Sequence, residues 1–208
     1  ITDPQRVGAL LRLVDDYADR QIITGSALQL MALLYPRPGE LRQARWPEFD
    51  LDKAVWEIPA DRMKLRHPHI KPLPRQAVVV LKRLHEITGP QGFVFPALGS
   101  FTRCMSENTM NAALRRMDIG ADEHTSHGFR ATASTLLNAS NLFSVDAIEH
   151  SLAHQDRDAV RRAYARGDAM TERRKMAQWW ADHLDLLQGR NAGQVVPLAR
   201  TTKRESAQ

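Results

Sequence analysis

Apolar residues follow two rhythms along this chain. Leu10, Leu11, Leu13, Val14 and Tyr17 recur at near-helical spacing behind Asp3 and Pro4, a pair that starts helices, and they predict a first helix ending near Asp19. The near-continuous apolar run ALQLMALLY, with Thr24 or Ser26 as its cap, predicts a second helix buried on most sides and ended by Pro36. From Pro38, GELRQARW reads as a short helix closed by Pro47. The rhythm then shortens. FDLD, AVWEIP and HIKPL alternate or carry strand formers between turn residues, which predicts a small three-stranded antiparallel sheet.

Helical spacing returns from Arg75 to Thr88 through Val78, Val79, Leu81, Leu84 and Ile87, and Gly89 with Pro90 breaks it. GFVFP reads as a short extended segment. Residues 108–117, 128–138, 145–153, 158–166 and 170–187 are further predicted helices. The expected fold class is therefore mainly α with a small three-stranded antiparallel β-sheet, an α+β arrangement. Past Leu187, QGRNAGQVVPLARTTKRESAQ loses apolar periodicity and is basic and rich in small residues. A flexible basic tail over 189–208 is expected behind one domain spanning 1–188.

Composition narrows the function classes only modestly. A chain of 208 residues can bury roughly 70% of its unfolded surface without a covalent staple. Lys plus Arg number 29 against 24 Asp plus Glu, and this basic balance favours polyanions such as nucleic acid. The single cysteine, Cys104, excludes an internal disulfide and a cysteine-rich metal cluster, and suits a reducing cytosol. No stretch approaches ~18 consecutive apolar residues, and ITDPQRVGALL has neither the basic leader nor the apolar centre of a signal peptide. A soluble, cytoplasmic protein is expected. The start at Ile1, directly into a capped helix, is what a piece of a longer protein would show.

Several groups of residues could carry chemistry, and each also has a plain reading. YPRPGELR sets Arg37 between two stiffening prolines beside the free N–H groups of a helix start, a layout suited to phosphate; Glu40 can also simply cap the turn, and on either reading helps to hold an arginine. RMKLRHPHIKPL holds Lys64, Arg66, His67, His69 and Lys71 around a hairpin, where a lysine either solubilises the tip or delivers a proton. In HGFR, His127 and Arg130 lie three apart on one helix face, so that both can reach one small anion. His150 and His154 stand at i and i+4 without an intervening glutamate or an obvious third ligand, which suits one buried structural histidine and one site histidine better than zinc. Tyr164 sits among Arg157, Arg161, Arg162 and Arg166, whose positive field favours its phenolate; the alternative is a tyrosine covering a core edge.

Taken in order, Arg37, Lys64, HGFR, LAH and a tyrosine ten residues later, these groups resemble the catalytic domain of the tyrosine recombinases, the phage-integrase family. The resemblance runs from about Val7 to Leu187. YPRPGELRQARWPEFD, MKLRHPHIKPL, SHGFRATASTLL and LAHQDRDAVRRAYAR look like integrases of temperate and satellite phages and genomic islands. The resemblance implies that Arg37 and Arg130 grip the scissile phosphate and that Lys64 protonates the leaving 5′ oxygen. By the same resemblance His127 assists proton transfer, His154 hydrogen-bonds the phosphate and Tyr164 is the nucleophile. The choice of Lys64 over Lys71 depends on where the hairpin turns, and His150 matches no family role.

Such an enzyme cleaves and rejoins DNA through a 3′-phosphotyrosyl intermediate to integrate or excise a mobile element. Two forked guanidiniums suit the charge that builds on the non-bridging oxygens, so the residue types fit this chemistry with neither a metal nor a cofactor. The implied partners are double-stranded attachment sites, four protomers on two sites, an accessory DNA-bending protein and an excisionase, at the bacterial nucleoid. The helix around Trp179, Trp180, Leu184 and Leu187 is a candidate dock onto a neighbouring protomer or, equally, an intramolecular core helix. Two rivals share many of these features: a topoisomerase-like enzyme that cuts and reseals one strand, and a non-catalytic helical DNA-binding domain in which Tyr164 only packs.

Overall fold

The Asp3 carboxylate accepts the Arg6 N–H at 2.9 Å and so starts α1 (Pro4–Arg20), whose inner face is Val7, Leu10, Leu11, Val14 and Ala18. The structure is a computed structural model that describes residues 1–63, 66–100, 102–153 and 168–190. Helix α2 (Ile22–Leu34) follows after the single residue Gln21, so Thr24 and Ser26 lie inside it instead of capping it. The reason is a close crossing. A Cβ on Gly25 would stand 2.2 Å from the Ala18 Cα, so the two backbones meet at the corner and the chain reverses without a loop. Helix α2 is then enclosed by α1 and by the later helices, with Ala27, Leu28, Leu30 and Met31 inaccessible to solvent.

Tyr35 ends α2 in the left-handed region at φ 44°, and Pro36 leads into α3 (Pro38–Arg42). This helix is shorter than GELRQARW predicts. Beyond it the chain pairs with the extended GFVFP segment: Val94 N–H donates to Ala44 O at 2.9 Å and Trp46 N–H to Gly92 O at 3.1 Å. Backbone groups that a continuing helix would have used are committed to that partner. A 3-10 turn at Trp46–Glu48 follows.

The expected sheet forms with strands β1 (Phe49–Asp50), β2 (Val55–Ile58) and β3 (His69–Pro72), antiparallel and in that order. Its register pairs Trp56 with Lys71 and Ile58 with His69. Since Trp56 and Ile58 are wholly buried, both polar residues of β3 are turned to the core.

Helix α4 (Arg75–Thr88) matches its predicted span, and α5 (Thr109–Arg116) and α6 (Gly128–Ser140) follow. Helix α7 (Val145–Ser151) stops two residues before its expected end, because Leu152 and Ala153 form a turn with Ala153 at φ 49°. The helix expected over 158–166 lies outside the described residues. Helix α8 (Asp168–Gln188) packs on α1, α2, α7 and β3 of its own chain, so the candidate dock is an intramolecular core helix.

Helix α8 buries Met176, Trp180, Ala181 and Leu184, and Trp180 Nε1 donates to Ala32 O at 2.9 Å. Full burial of a large side chain of this kind is worth about 2 to 3 kcal/mol. At the far end a Cβ on Gly8 would lie 2.0 Å from Leu187 O, a second backbone-to-backbone contact. Of the expected tail, Arg190 is held: its N–H donates to Asp185 O at 3.0 Å and its guanidinium pairs with Asp15. Residues 191–208 lie outside the described residues. Among the described residues no helix is long and apolar enough to cross a membrane.

Candidate active site

Arg37 is the residue before α3, where the backbone is still extended and its carbonyl accepts the Glu40 N–H at 2.9 Å. Glu40, one turn on, accepts the Arg37 backbone N–H at 2.9 Å through Oε2 and the guanidinium Nη1 at 2.7 Å through Oε1. The cap and the arginine clamp suggested by the sequence are thus one arrangement. Glu40 is 7% exposed, while the Arg37 side chain retains an open flank at 27%. The remaining fork nitrogen, Nη2, donates to Ala153 O at 3.3 Å.

Arg130 enters from the first turn of α6 and is 5% exposed. Its Nη1 donates to Tyr35 O at 3.2 Å and its Nη2 to Leu152 O. Arg37 and Arg130, 93 positions apart in sequence, therefore hang from consecutive carbonyls of one turn. Burial first and the Arg37 charge next bring the Arg130 pKa down to about 10, against a smaller upward pull from Glu40 and Glu149. The guanidinium remains charged at neutral pH.

His127 is the residue preceding α6, is exposed, and accepts the Arg130 N–H on its carbonyl at 3.1 Å. Histidine and arginine thus share the start of one helix, as HGFR suggested. Lys64, His154 and Tyr164 lie outside the described residues. The residues immediately before Lys64 and His154 are described. Arg62 ties the hairpin base to α3 through Glu40 O and to Glu48, and Leu152 and Ala153 immediately precede His154.

Lys71, which the sequence left as the alternative to Lys64, and Arg173, to which it gave no role, belong to this cluster. Lys71 lies in β3, the strand expected over HIKPL, and is 3% exposed. Its Nζ donates to Ser151 O at 2.8 Å and lies 4.4 Å from the centroid of the Tyr35 ring. Arg173, from α8, is 3% exposed, donates to Ser151 Oγ at 3.4 Å and to Ile70 O, and places Nη1 3.3 Å from His150 Nδ1. Burial drives the Lys71 pKa well below its usual value, and Arg173 and Arg130 add to this. Strand parity could have found Lys71, since it shares a face with Trp56. For Arg173 no local signal exists.

His150 is not the buried histidine expected. It is exposed and turns its ring edge to His69, 6.2 Å away. Its neighbour His69 is the buried one, held neutral with a pKa near 2 by burial first and by Lys71 and Arg173 next. Among the described residues no group of three or more His, Cys, Asp or Glu is arranged to hold a metal ion.

A surplus of fixed positive charge around one turn, with an open guanidinium flank, is built to receive an anion. Arg37, Arg130 and Arg173 bring three guanidiniums together beside the Lys71 amine, and Glu40 and Glu149 are the acids that act on Arg130. Two planar forks from different elements hold a tetrahedral anion in fixed orientation in a way that ammonium groups do not.

Comparison with known proteins shows the family. The model of the phage integrase family matches residues 2–170, and the chain belongs to that family. It is 44% identical over 182 residues to the integrase of Enterobacteria phage P4, covering 80% of this chain and 41% of that protein. It is 42% identical over 164 residues to prophage integrase IntA of Escherichia coli K12, covering 79% of this chain and 38% of that protein. The chain thus spans about 40% of the length of these relatives. In fold it is similar to the integrase of mycobacterium phage Brujita, with a TM-score of 0.58 at 18% identity over 75% of this chain and 50% of that one. It is also similar to XerA recombinase, with a TM-score of 0.58 at 16% identity over 79% and 61% of the two chains.

Proposed function

We propose that residues 1–188 are the catalytic part of a site-specific DNA recombinase that cleaves and rejoins strands to integrate or excise a mobile element. One observation carries the reading: the guanidiniums of Arg37 and Arg130 hang from the adjacent carbonyls of Ala153 and Leu152, just ahead of His154, with Glu40 clamping the more open of the two. Family membership and the integrase names of the relatives support it.

In this mechanism the two arginines bind the non-bridging oxygens of one phosphodiester and stabilise the charge that grows there in the transition state. The Tyr164 oxygen attacks phosphorus as its proton leaves, the bond to the 5′ oxygen breaks, and Lys64 supplies the proton that oxygen needs. His127 assists proton transfer and His154 hydrogen-bonds the phosphate. The products are a 3′-phosphotyrosyl link and a free 5′ hydroxyl. A 5′ hydroxyl from the second duplex reverses the same step, so the link conserves the energy of the broken bond and no nucleotide cofactor is consumed. Four protomers on two double-stranded attachment sites, with a DNA-bending protein and an excisionase, complete the proposed assembly at the bacterial nucleoid.

The test is a nicked suicide site incubated with the full-length protein. A covalent adduct that disappears in Tyr164→Phe is expected, and sequencing the adduct names the phosphate. Equal adduct from Tyr164→Phe sinks the nucleophile assignment. A two-site assay then separates recombination, read as exchanged flanks, from cutting and resealing of a single duplex.

A further inference from the structure

Three consecutive carbonyls, Ser151 O, Leu152 O and Ala153 O, each accept from a cationic side chain on a different element: Lys71 on β3, Arg130 on α6 and Arg37 ahead of α3. The row follows the C-terminal end of α7, where unpaired carbonyls and the helix dipole favour positive charge. The position of that row therefore sets where both guanidiniums point. Its first carbonyl is fixed by the Nζ of Lys71, a side chain only 3% exposed. Lys71 is wedged between that carbonyl and the face of Tyr35, whose own carbonyl takes the second Arg130 bond.

We propose that Lys71 is a positioning residue for the reaction, holding the Ser151–Ala153 turn in the one register that aims Arg130 and Arg37 at a shared phosphate. The proposal rests on the reading that these two arginines act at the scissile phosphate. Lys71 is poorly explained as a stabiliser. A methionine would fill the same apolar slot against Tyr35 without a desolvated charge, and burial already forces the Lys71 pKa far down. Arg173 braces the same turn from the other side, through Ser151 Oγ and Ile70 O, so α8 and β3 grip one point. A buried group that costs stability and touches the mount of two site residues is the signature of a placement function.

The experiment is a double-mutant cycle in the full-length protein, read as single-turnover cleavage of the nicked suicide site. Lys71→Met should cleave at least tenfold slower, with affinity for uncleaved DNA within twofold and a melting temperature at or above that of the unaltered protein. In an Arg130→Ala background the same substitution should cost less than twofold, because the aim it maintains is already lost. Full cleavage by Lys71→Met, or an equal loss in both backgrounds, overturns the proposal and leaves the proposed function standing. Arg130→Ala cleaving at the unaltered rate overturns instead the reading on which the proposal rests. If Lys71→Met does not fold, Lys71→Gln, a neutral side chain that can still donate, takes its place in the same cycle and is judged by the same coupling.

Discussion

Glu40 grips Arg37 at two points, taking its backbone N–H at 2.9 Å and its guanidinium at 2.7 Å, so one carboxylate fixes both where the arginine starts and where it ends. Glu40→Gln keeps the shape and an acceptor for the backbone but gives up the charge that holds the fork. Cleavage of a suicide site should fall roughly 10- to 100-fold, the scale of a misaligned catalytic donor. Folding stability should fall by about 1 to 3 kcal/mol, because the buried end of the pair becomes poorly satisfied. Chemical denaturation and single-turnover kinetics read the two effects separately. A rate within twofold of the unaltered protein would show that Arg37 holds its place without the clamp.

The glycine of HGFR has a steric reason. A Cβ on Gly128 would stand 2.8 Å from His124 Cε1, and that imidazole is itself packed edge-on against Phe129 with ring centres 4.5 Å apart. Gly128→Ala must therefore move either a buried ring or the first turn of α6, which carries Arg130. A loss of about 1 to 3 kcal/mol is expected from overpacking, together with slower cleavage. His124→Ala in the same chain should recover part of the cleavage rate by giving the new methyl group room, and failure of that rescue would place the clash elsewhere.

Gly8 does for α8 what Gly25 does for α2. With Leu187 O only 2.0 Å from where its Cβ would be, Gly8→Ala must push the end of α8 off α1. We expect faster hydrogen exchange over the last two turns of α8 and a lower melting temperature, corresponding to about 1 to 3 kcal/mol. Unchanged exchange there would mean that α1 and not α8 yields.

Two buried imidazoles set the response to acid. Burial lowers the pKa of His69 to about 2 and that of His124 to about 4, whereas both titrate near 6.5 when the chain unfolds. The unfolded state thus binds more protons below pH 6.5, and the stability present above that pH is lost as the pH falls. The His124 share is spent near pH 4, and the His69 share continues to fall towards pH 2. Each contributes a slope of about 1.4 kcal/mol per pH unit once fully engaged. Urea titrations at pH 7.5 and 5.5 should show this decline, and His124→Leu should remove about 1.4 kcal/mol of it, an average of about half a proton per pH unit. A slope unaltered by His124→Leu would mean that its ring is charged in the folded protein.

The chain announced much of this in advance. Helices α1, α4, α5 and α6 could be read from apolar spacing and stop residues, because a helix that buries one stripe needs only local periodicity and caps to be recognised. The three strands and the pairing of Arg37 with Glu40 were legible for the same reason: partners one turn or one hairpin apart are fixed by local geometry. Order along the chain also marked Arg37 and Arg130, which the fold brings to adjacent carbonyls of one turn.

What only the tertiary structure decided is how residues distant in sequence share one point. GELRQARW stops being helical after Arg42 because residues 92–94 claim its carbonyl and N–H groups, a competition no local propensity contains. Whether α8 served a neighbour or its own core depended on contacts such as that of Gly8 with Leu187, where two backbones touch. Lys71 sat in an expected strand, but only the register with Trp56 turned it inward, and Arg173 carried no pattern at all. Their meeting at the Ser151–Ala153 turn is a three-dimensional fact. Sequence specifies which side chains carry charge, but the packing of β3, α6, α7 and α8 around a single row of carbonyls determines which of those charges act together.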